Sequence, residues 1–253
     1  MGLRGLLYAS YERRLAAGLR PERVPRHVGV MLDGNRRWAR EKGADTAQGH
    51  QAGADNILPF LTWSEEVGVE VVTLWLLSTD NLARPEVELR PLLGIIERVV
   101  ADLCATGRWR VNIVGATRLL PAETAARLGE CAAMTAAVEG LVVNVAVGYG
   151  GRHEITDAVR SLLRQAEQEG RTLAEVAETL DVTDIADHLY TKGQPDPDLV
   201  IRTSGEQRIG GFLLWQSTHS ELYFCEAFWP DFRRVDYLRA LRSFADRERR
   251  FGT

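Results

Sequence analysis

The run VEVVTLWLL, residues 69–77, decides the fold. It is apolar and β-branched through most of its length and has no polar face, as a strand covered on both sides of a sheet requires. The runs HVGVML (27–32), WRVNIVG (109–115), LVVNVAVGYG (141–150) and DLVIRT (198–203) read the same way. Between them, the stretches 51–66, 86–106, 122–138 and 153–169 carry apolar residues at roughly helical spacing, and Thr183 is the expected N-cap of a further helix over DIADHLY. Strand-like and helix-like segments alternate, which predicts an α/β fold: a mostly parallel central sheet flanked by helices. QPDPD (194–198) reads as a turn, because its prolines cannot continue a helix. The apolar segment from FLLWQ to ELYFCE has no clear assignment. With no repeat, low-complexity tract or linker, the expected organisation is an N-terminal helix or arm over 1–24 and one domain over 25–253.

Composition narrows the class. A chain of 253 residues is long enough to bury a large single core, and a hydrophobic fraction of 45% with 26% charged residues is ordinary for a globular protein. A formal charge of -4 argues against a nucleic-acid partner, which calls for a basic surface. Cys104, Cys131 and Cys225 stand in no metal-ligand spacing, and their odd number argues against a disulfide framework, so a reducing cytoplasm is the expected location. No run is long and apolar enough for a transmembrane segment. The opening MGLRGLLYASYERRL is too short in apolar residues for a secretory signal and reads as an amphipathic helix packed on the domain, with at most a weak membrane-surface contact.

In open α/β sheets ligands gather at the carboxyl ends of the strands, so the residues that follow each strand hold the candidate chemistry. After the first comes DGNRRWAR (33–40). Its tight turn leading into a helix favours an anion, and Arg36 and Arg37 add guanidinium donors suited to phosphate. Asp33 conflicts with a phosphate unless a divalent cation bridges them, a normal Mg²⁺ environment. A plain Asp-Gly turn before a solvated basic helix explains the segment equally well. LSTDNLARP (77–85) places Ser78, Thr79, Asp80, Asn81 and Arg84 in one loop, which also suits helix capping ahead of Pro85. IRTSGEQR (201–208) flanks a Ser-Gly turn with Arg202 and Arg208, a second anion site or two surface arginines. Glu221 alone reads as a strand-end residue. No Walker A loop, dinucleotide fingerprint or DDxxD element is present. Two arginine-lined anion sites and two acidic groups suit transfer between two phosphorylated substrates.

DGNRRWA, Gly49-His50, STDNLARP, NVAVGYGGR, DLVIRTSGEQR, FLLWQ, the ELYF element and the closing RERRFG together resemble the cis-prenyltransferases, the undecaprenyl diphosphate synthase family. The wording LLSTDN with RTSGEQR is most similar to its actinobacterial short-chain branch, the Z-farnesyl diphosphate synthases. The resemblance implies a homodimer with an apolar substrate tunnel, Mg²⁺ as cofactor and prenyl diphosphates as substrates. It makes Asp33 and Asn81 the catalytic residues and Asp33 and Glu221 the metal ligands. Gly34, Asn35, Arg36, Arg37, Trp38 and His50 fall to the allylic diphosphate. Ser78, Thr79, Asp80 and Arg84 serve the condensation, and Arg202, Arg208, Ile209 and Gly210 the diphosphate of isopentenyl diphosphate. Leu76 stands where long-chain members carry a small residue, which implies a product of about C15, and Arg250 and Gly252 would reach the partner's site. The implied reaction joins dimethylallyl or geranyl diphosphate to isopentenyl diphosphate. Thr46, Leu82, Gln207, Gly210 and His219 depart from common family residues; Thr46 and Gly210 each remove a donor from a diphosphate site. That leaves an irregular, lavandulyl-type coupling of two allylic diphosphates as the alternative, with a non-catalytic partner subunit or a diphosphate-hydrolysing relative further behind.

Overall fold

The computed structural model describes residues 3–247, with side chains from residue 10 onward. The five apolar runs form β1 (His27–Met31), β2 (Val71–Ser78), β3 (Arg110–Val114), β4 (Val142–Tyr149) and β5 (Leu199–Arg202). With β6 (Glu221–Phe224) they make one sheet in the order β3-β4-β2-β1-β5-β6, and every neighbouring pair is parallel. The expected α/β class is therefore observed. β6 is the ELYF segment that the pattern left unassigned. It pairs only with β5, at the sheet edge, and its side chains stay partly exposed, so it lacks the signature of a strand buried on both faces.

The helices are α1 (Leu3–Ala17), α2 (Asn35–Lys42), α3 (Thr46–Asp55), α4 (Ile57–Glu66), α5 (Glu86–Ala105), α6 (Ala122–Met134), α7 (Gly151–Gln168), α8 (Leu173–Thr179), α9 (Val182–Ala186) and α10 (Arg234–Asp246). Two expectations need correction. The stretch 51–66 is not one helix: α3 starts earlier, at a capping box between Asp45 and Gln48, and gives way to α4 at Asn56. Asn56 is held there because its side-chain amide donates to the carbonyls of Trp229 and Phe232, both at 2.8 Å. Thr183 is not the N-cap of α9. Asp181 is, and Asp184 returns the bond to the Asp181 backbone N–H at 2.9 Å, so the helix begins one residue before Thr183.

Strand alternation sorts the core. Val28, Val30, Val72, Leu74, Val143, Val145, Leu199 and Ile201 point to one face, where they pack with Phe60, Leu61, Ile96, Val100, Tyr237 and Leu241 from α4, α5 and α10. A fully buried side chain of this kind contributes about 1.5–3 kcal/mol. Leu15 of α1 joins the same cluster, so the N-terminal helix packs on the domain. The opposite face carries Met31, Ala146 and Val200 against Phe212 and Leu213. Toward the amino end of the strands this second face turns polar. The side chains of His27, Thr73, Asn144, Gln194 and Asn112 form one hydrogen-bonded row, with His27 Nε2 2.8 Å from Thr73 Oγ1 and Asn144 Nδ2 donating to Gln194 Oε1 at 2.6 Å. Charged and polar loops then collect at the other, carboxyl end.

Candidate active site

β1 ends at Met31, and Gly34, at φ 103°, turns the chain into α2. Only glycine takes that φ without strain, and a Cβ here would also come within 2.6 Å of the Phe228 ring. The turn sets Asp33 at the carboxyl end of β1, next to the end of β5. Thr203 fastens the two strand ends by accepting from the Asp33 N–H at 3.0 Å and donating to the Asp33 carbonyl at 2.8 Å. The Asp33 carboxylate accepts from Arg202 Nη2 at 2.9 Å and from the Gly34 N–H at 2.7 Å, and Arg37 Nη2 stands 3.8 Å away. Arg202 is only 8% exposed, and its Nε has no partner. A buried guanidinium with a spare donor beside a carboxylate is an anion site held ready by its counter-charge.

The loop after β2 supplies the facing wall. The Asn81 N–H donates to Ser78 Oγ at 3.1 Å, and Asn81 Oδ1 accepts from Arg84 Nη2 at 2.9 Å. Arg84 also donates to Glu88 Oε1 at 2.9 Å, and Arg36 approaches the same carboxylate at 3.5 Å. His50, on α3, is brought close because Gly49 lets α3 lie directly on α2: a Cβ at Gly49 would stand 2.3 Å from the Asn35 carbonyl. Burial, and secondarily Arg84, pushes the His50 imidazole down to about 4, so near neutral pH it is uncharged. Its Nε2 is buried without a partner, as is Asn35 Oδ1.

These groups line one cleft of about 1110 Å³. Its polar rim carries Asp33, Gly34, Asn35, Arg36, Arg37 and His50 on one side, and Ser78, Asp80, Asn81, Arg84, Arg202, Arg208 and Gly210 on the other. Its floor is apolar, made by Leu76 with Leu92, Ile95, Ile96 and Val99 of α5. Leu76 reaches the floor by ordinary strand alternation, two residues after Leu74, which faces the same α5 side of the sheet. Trp75 pairs with Ala146 and Leu77 with Val147, so β2 bulges at Leu76, and the bulge brings Leu77 to that same face.

Several expected residues lie elsewhere. The Thr79 side chain packs against Gly150, behind the rim. Ile209 packs with the apolar cluster on the second face of the sheet. Trp38 lies under Lys42, whose ammonium is 5.9 Å from its ring. Glu221 is a correction: in its own chain it does not complete a metal site with Asp33. It opens β6 in register with Leu199, at the amino end of the sheet, whereas Asp33 lies beyond Met31, the partner of Arg202, at the carboxyl end. There its carboxylate pairs with Arg247. Arg250 and Gly252 lie outside the described residues. Conversely, Glu88 and Glu206 were missed. Glu88 sits four residues after Arg84 on a helix start, a spacing that signals a pair; Glu206 meets Arg37 at 3.3 Å and also pairs with Arg208.

Among the described residues no group of three or more His, Cys, Asp or Glu side chains could enclose a metal. Mg²⁺, however, is commonly held by one carboxylate plus substrate phosphate oxygens. Asp33 fits that role: it lies on the rim, is about a third exposed, and keeps lone pairs beyond those taken by Arg202 and Gly34.

Two arginine-lined anion sites meeting at one carboxylate, above an apolar floor, define an enzyme for substrates with diphosphate heads and hydrocarbon tails. Residues 31–252 match the family model described as undecaprenyl diphosphate synthase, and the chain belongs to that family of prenyltransferases. It is 64% identical to the (2Z,6E)-farnesyl diphosphate synthase of Thermobifida fusca, over 99% of this chain and 98% of that protein. It is 53% identical to the short-chain Z-isoprenyl diphosphate synthase of Mycobacterium leprae, over 97% of this chain and 95% of that protein. A crystal structure of lavandulyl diphosphate synthase from Lavandula x intermedia in complex with dimethylallyl diphosphate aligns with a TM-score of 0.85 at 32% identity, covering 92% of this chain and 100% of that one.

Proposed function

We propose that this prenyltransferase condenses a short allylic diphosphate, dimethylallyl or geranyl, with isopentenyl diphosphate to a Z-prenyl diphosphate of about C15. The observation that carries the reading is the cleft itself, in which the Asp33–Arg202 pair joins two anion sites above a floor closed by Leu76. The allylic diphosphate sits on the α2 side, against the turn N–H groups, Arg36 and Arg37. Isopentenyl diphosphate sits against Arg202 and Arg208. The allylic C1–O bond breaks, the isopentenyl double bond attacks C1, and one proton leaves C2 of the isopentenyl unit. Arginines stabilise the departing diphosphate, the group whose charge grows as the bond breaks. Neutral His50 donates its ring N–H to that diphosphate without adding a cation. Asn81, held by Arg84, is a poor base and orients the isopentenyl unit, so the departing diphosphate takes the proton. Asp33 would hold Mg²⁺ at the diphosphates, where the ion would supply further charge neutralisation. A cytoplasmic location accords with this chemistry; no described helix is long and apolar enough to cross a membrane.

Gly210 favours one second reading, an irregular coupling of two allylic diphosphates, because the hydroxyl common in the family is missing beside Arg202. The likeness to a lavandulyl diphosphate synthase points the same way. The identity of 64% to a farnesyl diphosphate synthase places ordinary condensation first. Incubating the chain and Mg²⁺ with paired C5 and C10 diphosphates, then identifying the dephosphorylated products, decides between them. Linear Z-farnesol from geranyl plus isopentenyl diphosphate is expected. A branched skeleton formed without isopentenyl diphosphate, or C50–C55 chains, would overturn the proposal.

A further inference from the structure

Ser204 has a left-handed backbone, φ 75°, and is 6% exposed. An L-residue is strained there because its Cβ crowds the following carbonyl oxygen, and glycine is not. Short polar residues tolerate this conformation when their side chains bond the local backbone. Ser204 does not: its Oγ accepts from Arg37 Nη2 at 2.7 Å, across 167 residues of sequence. Strained residues persist where surrounding structure enforces them, and they cluster at functional sites.

What the hydroxyl does is visible in the other contacts of Arg37. Glu206 Oε1 lies 3.3 Å away, Asp33 Oδ1 3.8 Å, and the Phe228 ring centroid 5.7 Å. The carboxylates hold the charge of the guanidinium, and both line the cleft. The bond to Ser204 comes from behind the rim and is the shortest of the set. Ser204 itself does not line the cleft. Its backbone is tied down independently, the Ser204 N–H donating to the Ala227 carbonyl at 2.8 Å.

We propose that Ser204 is a positioning residue, which orients the Arg37 guanidinium toward the allylic diphosphate and keeps its strained backbone for that hydroxyl. The inference rests on the functional reading above, in assigning Arg37 to the allylic site. Two substitutions separate the hydroxyl from the strain. Ser204→Gly removes both; Ser204→Ala removes the hydroxyl and keeps the strain. Loss of a hydrogen bond to a charged donor should raise KM for geranyl diphosphate at least threefold in both variants. KM for isopentenyl diphosphate should stay within twofold of wild type. Tm should rise in Ser204→Gly and not in Ser204→Ala. An unchanged KM for geranyl diphosphate in both variants overturns the proposal. So does an equal rise of both KM values with a lowered Tm, the pattern of a serine that only supports the fold. A wild-type chain that binds geranyl diphosphate without turning it over fails the functional reading instead. Calorimetry then carries the same test: at least threefold weaker binding to Ser204→Gly is expected, and equal binding overturns the role of Ser204. No binding to the wild type sinks both.

Discussion

Asp33 is where several demands on one side chain coincide. It neutralises Arg202, caps the turn at Gly34, and lines the cleft. Removing one preorganised electrostatic contact of this kind slows an enzyme by roughly 10²–10³. Asp33→Ala should lose about that much turnover at saturating substrate; single-turnover kinetics near wild type would remove Asp33 from the mechanism. A second prediction concerns His27, which is buried in the polar row. Burial pushes its imidazole down to about 4, and its Nδ1 lies 2.7 Å from the Pro195 carbonyl. A carbonyl can only accept, so the proton of the neutral ring sits on Nδ1, and Nε2 accepts from the Thr73 hydroxyl, which itself accepts from Asn144. The folded value lies below the ordinary 6.5, so the unfolded chain takes up the proton first as pH falls. The stabilisation is therefore complete above about pH 6.5 and lost as pH falls toward 4. Urea unfolding across that window should show a decline that is shallower by about 1–3 kcal/mol in His27→Gln. An unchanged decline would show that other groups carry it.

At the scale of elements, β2 and α5 together bound the floor of the cleft. Leu76 of β2 faces Leu92, Ile95, Ile96 and Val99, which recur along one face of α5, and the bulge beside it adds Leu77 to the same side. A leucine on the strand closes the space behind the first isoprene units, and shortening it opens that space. Leu76→Ala should give products longer than those of the wild type, read by chromatography after dephosphorylation. Identical product lengths would mean that α5 alone sets the limit. Because the side chain is only partly enclosed, stability should fall by less than the 2–5 kcal/mol typical of a buried Leu→Ala change.

For the molecule as a whole, the open question is the partner. The segment from residue 248 onward, with Arg250 and Gly252, lies outside the described residues, and the cross-subunit role that the family resemblance implies for it is a proposal. A chain ending after Arg247 should stay folded, since α10 and its buried Leu238, Leu241 and Phe244 are kept, but should lose most of its activity. Sedimentation of the full chain should show a dimer. A fully active monomer would refute the shared site, and full activity of the shortened chain would remove the terminal segment from it.

Local chemistry made much of this protein legible in its sequence. Runs buried on both faces, such as 69–77, announce parallel strands because an apolar, β-branched segment without a polar face has few other stable uses. The DGN turn with its arginines, and the arginine pair 202 and 208, announce anions because charge and backbone geometry act over a few residues. Folding decided what depends on distant neighbours. β6 is a strand only because β5 offers its free edge, and α3 ends at Asn56 because carbonyls near residue 230 receive its amide. The strands' register set Glu221 at the end of the sheet opposite Asp33, although both are carboxylates of a shared motif set. The bulge at Leu76 and the left-handed Ser204 leave no mark in a hydrophobic pattern. Each is a backbone conformation imposed by packing between segments far apart in the chain, and pattern along one segment carries no information about the other.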